Sequence, residues 1–217
     1  MNLATSRLYG QTPEWGLEQF GLTESLIHDC VRPAWVRSRA RSSLATSGAA
    51  GTDLYLDISE NLATSLSELG WQRVRVQNQQ RMVHPDGVIA IAVSSAVDVA
   101  NSDPKKHPRT QSKGPATLGS LGRERFPGQK PFDLDEFQNE SEVEKELDRA
   151  PLWLLLHETL ESEVRLSLAH PVGSDRQGNV VDFGSRVNIS PLRLDADLEI
   201  FRNDDEGDGI DFDVSVI

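Results

Sequence analysis

The stretch from Pro151 to Pro171 constrains this chain more than any other. It reads Pro-Leu-Trp-Leu-Leu-Leu-His-Glu-Thr-Leu-Glu-Ser-Glu-Val-Arg-Leu-Ser-Leu-Ala-His-Pro and is the most apolar segment present. Leu152 to Leu160 is expected to be one strand, with Trp153 and Leu155 on one face and Leu154, Leu156 and Leu160 on the other. Both faces are apolar at its start, so both must be covered there. Val164, Leu166 and Leu168 alternate with Arg165 and Ser167, as in a second strand with one buried and one wet face. Glu161-Ser162-Glu163 supplies a polar turn. Pro151 and Pro171 should bracket the pair, where proline's missing N–H does least harm.

A hairpin apolar on two faces needs partners, and the rest of the chain can supply them. Its 217 residues and 37% apolar content allow one sizeable domain. No apolar run approaches the ~18 residues of a membrane span, so no membrane contact is expected. The first residues, Met-Asn-Leu-Ala-Thr-Ser-Arg, lack the apolar core of a secretory signal. Cys30 is the single cysteine and cannot form an internal disulfide, which suits a reducing cytoplasm.

Before the hairpin, Thr12-Pro13-Glu14 marks a helix start. Thr23 can cap a second helix bearing Leu26, Ile27, Cys30 and Val31, with Pro33 expected to end it. Arg32, Arg37, Arg39 and Arg41 cluster around Trp35, a composition that can hold phosphates but more often forms a solvated surface. Residues 1–52 thus read as a helical segment closing in a Ser/Ala/Gly linker from Ser42 to Thr52. Asp57, with Glu60 three residues on, predicts the cap of a third helix whose stripe is Ile58, Leu62, Leu66 and Leu69, terminated by Gly70. Trp71 to Gln77 and Arg81 to His84 read as strands. Pro85-Asp86-Gly87 is a turn, and Val88 to Val93 is a short apolar run suited to a central strand.

Residues 101–131 differ from their surroundings. Five prolines and four glycines oppose regular structure, and Lys105, Lys106, Arg109, Lys113, Arg123 and Arg125 make the stretch basic. A loop this long is expected to be mobile and to order on a partner. Asp133 to Arg149 follows as a Glu-rich helix. After the hairpin, Val180 to Phe183, Arg186 to Ser190 and Leu192 to Phe201 read as short strands, and residues 203–217 as an acidic tail. Charge divides sharply: residues 1–130 carry a net of +3 and residues 131–217 a net of −15.

Four patterns could carry chemistry. Asp86 followed by Asp103-Pro104-Lys105 superficially matches a magnesium nuclease, which requires both acids on one ion. Ser112 to Gly119 could cradle a phosphate through backbone amides and Lys113, although its spacing is not that of a P-loop. Asp204, Glu206 and Asp208 open like a calcium loop, but Ser215 stands where a bidentate Glu is required. His28, His84, His107, His157 and His170 lack zinc spacing, and strand geometry sends His157 and Glu158 to opposite faces. Cys30 has no evident catalytic partner.

These readings add up to an α+β fold: a mostly antiparallel sheet with N-terminal helices and a long basic loop. No catalytic set, cofactor or metal site is expected. The functional expectation is a non-catalytic interaction protein, a subunit or adaptor of a cytoplasmic, bacterial multiprotein assembly. Its partner would be another protein, met by the 101–131 cations or by the Arg32–Arg41 cluster with Trp35. The alternative is a metal-dependent nucleic-acid-processing or nucleic-acid-binding protein using the same loop.

Overall fold

The computed structural model describes residues 13–123 and 149–193. Helices α1 (Pro13–Glu18), α2 (Glu24–Arg39) and α3 (Ala49–Glu68) come first. Strands β1 (Gln72–Val76), β2 (Gln79–Val83), β3 (Ala90–Val97) and β4 (Arg109–Thr110) follow, then the short helix α4 (Pro115–Leu118). Strands β5 (Leu152–Thr159), β6 (Glu163–Ser174) and β7 (Val180–Arg193) complete the described chain. The sheet order is β1-β2-β3-β5-β6-β7, with β4 beside the end of β3. Every pairing is antiparallel except β3 with β5. The fold is therefore α+β, with a mixed, mostly antiparallel sheet and helices at the N-terminal end. No helix among the described residues is long and apolar enough to cross a membrane.

The apolar hairpin sits inside the sheet, as its two-sided pattern requires. Trp153 and Leu155 join Leu166, Leu168, Met82, Ile91 and Val93 against the residues of α1, α2 and α3. Leu152, Leu154 and Leu156 pack on the other face with Ala92, Ala96, Val180 and Phe183. Burial nevertheless goes further than the alternation predicts. Ser167 is fully buried, its hydroxyl donating to the Val187 carbonyl at 3.2 Å, so both faces of β6 are covered there. Pro171 does not bracket the hairpin but lies within β6, opposite Phe183, at a register irregularity. The bulge accommodates a residue that cannot donate to the ladder. The three short strands expected after residue 180 are continuous through Arg193 as β7. Among the described residues this is an edge strand, where Pro191 is tolerated.

Two helix boundaries also differ from the sequence reading. Helix α2 runs through Pro33 to Arg39, and Trp35 beyond the proline is fully buried. An interior proline costs roughly 3 kcal/mol. Burying a tryptophan's 150–250 Å² contributes roughly 4–6 kcal/mol, so packing prevails. The start is as expected: the Thr23 hydroxyl accepts from the Leu26 N–H at 3.1 Å. Helix α3 begins at Ala49, not at Asp57, because Leu54 extends the buried stripe of Ile58, Leu62 and Leu66 by one turn. Asp57 is no cap; it pairs with Arg37 of α2 at 3.2 Å. Leu69 leaves the stripe at the C-cap, where it is 49% exposed. Gly70 ends the helix at φ 81°, with Gly70 N–H on the Ser67 carbonyl and Trp71 N–H on that of Leu66, a Schellman closure.

Candidate functional site

The 101–131 segment is where sequence and structure meet least simply. Its described part, 101–123, is not without regular structure, since β4 and α4 lie within it. Arg109 pairs with Asp175 at 3.0 Å in the β6–β7 turn. Lys113 N–H donates to the Gly178 carbonyl, and Gly122 N–H to that of Pro171. Arg81, 1% exposed on β2, donates to the Ala116 carbonyl at 2.7 Å and to the Ser120 hydroxyl at 3.1 Å. Gln79 donates to the Thr117 hydroxyl at 2.9 Å. Strands β2 and β3 pair over only two residues, Met82 with Ile91 and Val83 with Ala90. The 112–120 stretch is anchored to β2 through these contacts.

The expected cationic residues are placed as follows. Lys106 pairs with Asp98 at 3.4 Å, and Arg109 with Asp175. Lys105 is exposed, and the Arg123 carbonyl accepts from His170 Nε2 at 3.0 Å. Arg125 lies outside the described residues. The earlier cluster is occupied by the protein itself. Arg37 meets Asp57, Arg41 meets Asp53, Arg32 donates to the Arg193 carbonyl, and Arg39 donates to that of Glu161 while lying over the Trp35 ring. Trp35 itself is core. Most of these charges thus already hold helix to helix or loop to sheet.

The nuclease-like acids are separated by β3: Asp86 precedes this eight-residue strand and Asp103 follows it. Strand β3 is continuous through Ser94 and Ser95, where the chain would have to reverse to bring both acids to one ion. Among the described residues no group of three or more His, Cys, Asp or Glu side chains could hold a metal. Glu158 serves the backbone instead. Its carboxylate accepts from Asp98 and Val99 N–H at 3.0 Å each, fixing a turn with positive φ at Asp98 and Ala100. The acidic tail and the Glu-rich 133–149 stretch, apart from Arg149, fall outside the described residues. Cys30 is buried against Ser65, and burial raises its thiol pKa, which makes it a poor nucleophile.

Concave places among the described residues include a 290 Å³ hollow between the end of β3, β4 and Asn179, and two larger ones. The first is an 800 Å³ groove between α3 and β1, lined by Tyr55, Leu56, Thr64, Arg73, Arg75 and Gln80 among others. Leu56 is 54% exposed and Tyr55 37%. Arg73 and Arg75 are exposed and have no acidic partner among the described residues. Strand β1 is the sheet's outermost strand, so one of its backbone edges is unpaired among the described residues. Sequence reading passed over this place because Arg73 and Arg75 looked like the wet face of an ordinary strand. Only the neighbouring helix makes them a groove.

The second is a 340 Å³ cavity beside the later residues of β3, lined by Ser95, Lys113, Gly114, Thr117, Gln79 and Tyr55 among others. Ser95 is the ladder partner of His157, which continues the helix-side row of Trp153 and Leu155. His157 is 4% exposed, and its Nε2 has no hydrogen-bond partner. Burial first, and the Lys113 charge second, lower its pKa to about 4, so it is neutral at neutral pH. Burial lowers the pKa of Lys113 as well. No protein-family model matches the chain, and neither a curated protein nor a solved structure matches it.

Proposed function

We propose that this chain is a non-catalytic interaction protein, a subunit or adaptor of a cytoplasmic multiprotein assembly, and that it takes an acidic, extended segment of a protein partner along α3 and β1. The α3–β1 groove is the observation that carries this reading. It combines an open strand edge, two exposed side chains with apolar surface in Tyr55 and Leu56, and two guanidiniums that form no ion pair among the described residues, although Glu60 of α3 also lines the groove. An extended peptide can add to such an edge by main-chain hydrogen bonds while alternate side chains enter the groove. Arg73 and Arg75 stand two residues apart, so both project from the same face of β1 and would meet acids at the same spacing. The cytoplasmic setting rests on the lone, buried Cys30.

The test compares wild type with an Arg73→Ser/Arg75→Ser/Leu56→Ser variant, purified from the native host with and without nuclease treatment. A photo-crosslinking residue at Thr64 then reports what occupies the groove. The reading expects a nuclease-insensitive protein partner, crosslinked at Thr64, released by salt and lost in the variant without loss of thermal stability. Nucleic acid as the crosslinked species would overturn it. So would magnesium-dependent nuclease activity removed by both Asp86→Ala and Asp103→Ala.

A further inference from the structure

The cavity beside His157 has a feature unusual for so acidic a chain. Although the net charge is −12 overall, none of the described residues that line this cavity is a carboxylate. Among the described residues the one charged side chain lining it is Lys113, half-buried, with no acidic side chain in salt-bridge reach. A desolvated ammonium is costly unless an anion compensates it. The neutral donors point the same way. Thr117's hydroxyl accepts from Gln79 and still has its own hydrogen to give. Ser95 is exposed within β3, whereas the neighbouring Ser94 hydroxyl already donates to the Ser95 carbonyl.

We propose that this cavity binds the phosphoryl group of a small phosphorylated molecule, with Lys113 as the charge and Ser95 and Thr117 as hydroxyl donors. A point-charge ammonium with separate hydroxyls suits a tetrahedral anion that takes hydrogen bonds from several directions. A planar carboxylate is better served by the fork of an arginine. The volume of 340 Å³ lies in the small-molecule range and exceeds what a bare phosphate fills, leaving room for an organic remainder. Buried, neutral His157 adds no second charge, so the site offers one cation. The sequence had marked Ser112–Gly119 as a possible phosphate cradle; the fold adds Ser95 to Lys113 and Thr117.

The experiment uses the full chain and three probes: inorganic phosphate, free phosphoserine and a phosphoserine-containing peptide, titrated by calorimetry and by NMR shifts of Lys113 and Ser95. Saturable binding of phosphoserine is expected, tighter than that of inorganic phosphate. Lys113→Gln should weaken it at least about tenfold with folding intact, Lys113→Arg should keep part of it, and Lys105→Gln should leave it unchanged. Absence of saturable binding at millimolar concentrations, or equal loss in the Lys105 control, overturns the assignment. Binding of the peptide alone, abolished by Arg73→Ser/Arg75→Ser, would overturn the small-molecule assignment and leave the groove reading standing. Conversely, loss of the groove partner with phosphoserine binding intact would refute the groove reading and leave this one.

Discussion

Because His157 is buried and kept neutral, the fold should carry an acid-sensitive stability term that a single substitution removes. The group is 4% exposed and its pKa falls from 6.5 to about 4, by burial and then by the Lys113 charge. A lowered histidine pKa means that the unfolded chain takes up the proton first. Stability is fully present above the unfolded value and is lost as pH falls through it, until the folded pKa is reached. From pH 7 to pH 5 this single group costs about 2 kcal/mol, and about 3 kcal/mol by the lower end of the window. Asp53, Glu163 and Asp175, held low by hydrogen bonds from Arg41, from Arg165 and Arg193, and from Asn179, lose their contributions as pH falls below the usual carboxylate range. They therefore overlap little with the pH 7 to 5 interval. The assay is urea denaturation of wild type and His157→Gln at pH 7, 6 and 5. The other four histidines are common to both proteins and cancel in the difference. The variant should lose about 2 kcal/mol less than wild type between pH 7 and pH 5. Profiles parallel within about 0.5 kcal/mol would show that His157 is solvated or already charged, and the account of the buried strand end would fail.

Leu166, fully buried opposite both His157 and Ile189, should cost roughly 2–5 kcal/mol when cut to Ala, read as a lower denaturation midpoint at unchanged slope. Gly70→Ala should cost about 1–2 kcal/mol from backbone alone, because φ is 81° and an added Cβ would meet only Pro85 Cγ at 3.6 Å; a neutral result in thermal unfolding would deny the left-handed closure of α3. Arg81→Met should cost roughly 1.5–3 kcal/mol by leaving the Gln79 side-chain oxygen and the Ser120 hydroxyl without the arginine's donors, while the Ala116 carbonyl keeps only the Ser120 hydroxyl. Hydrogen exchange should then rise in 112–120 before it rises in β5, and uniform exchange across both would refute the anchoring role.

The sequence by itself determined the elements with a strong period. The hairpin of β5 and β6 followed from Leu152–Leu156 and from the alternation after Val164, the β2–β3 turn from Pro85-Asp86-Gly87, and the end of α3 from Gly70. These signals are local: a period of two, a turn residue, a left-handed position. What only the tertiary structure decided depends on partners distant in the chain. Helix α2 passes Pro33 because Trp35 finds a core, and α3 starts early because Leu54 does. Cationic residues that looked available, Arg37, Arg41 and Arg109, meet Asp57, Asp53 and Asp175. Arg73 and Arg75, which looked ordinary, form no ion pair among the described residues, although Glu60 lines the same groove. The cavity of Lys113 is assembled from β2, β3, α3 and the segment before α4, so no single stretch carries its signature. Local chemistry is written in neighbouring residues, whereas a charge is spent or left free by whichever distant side chain the packed core brings beside it.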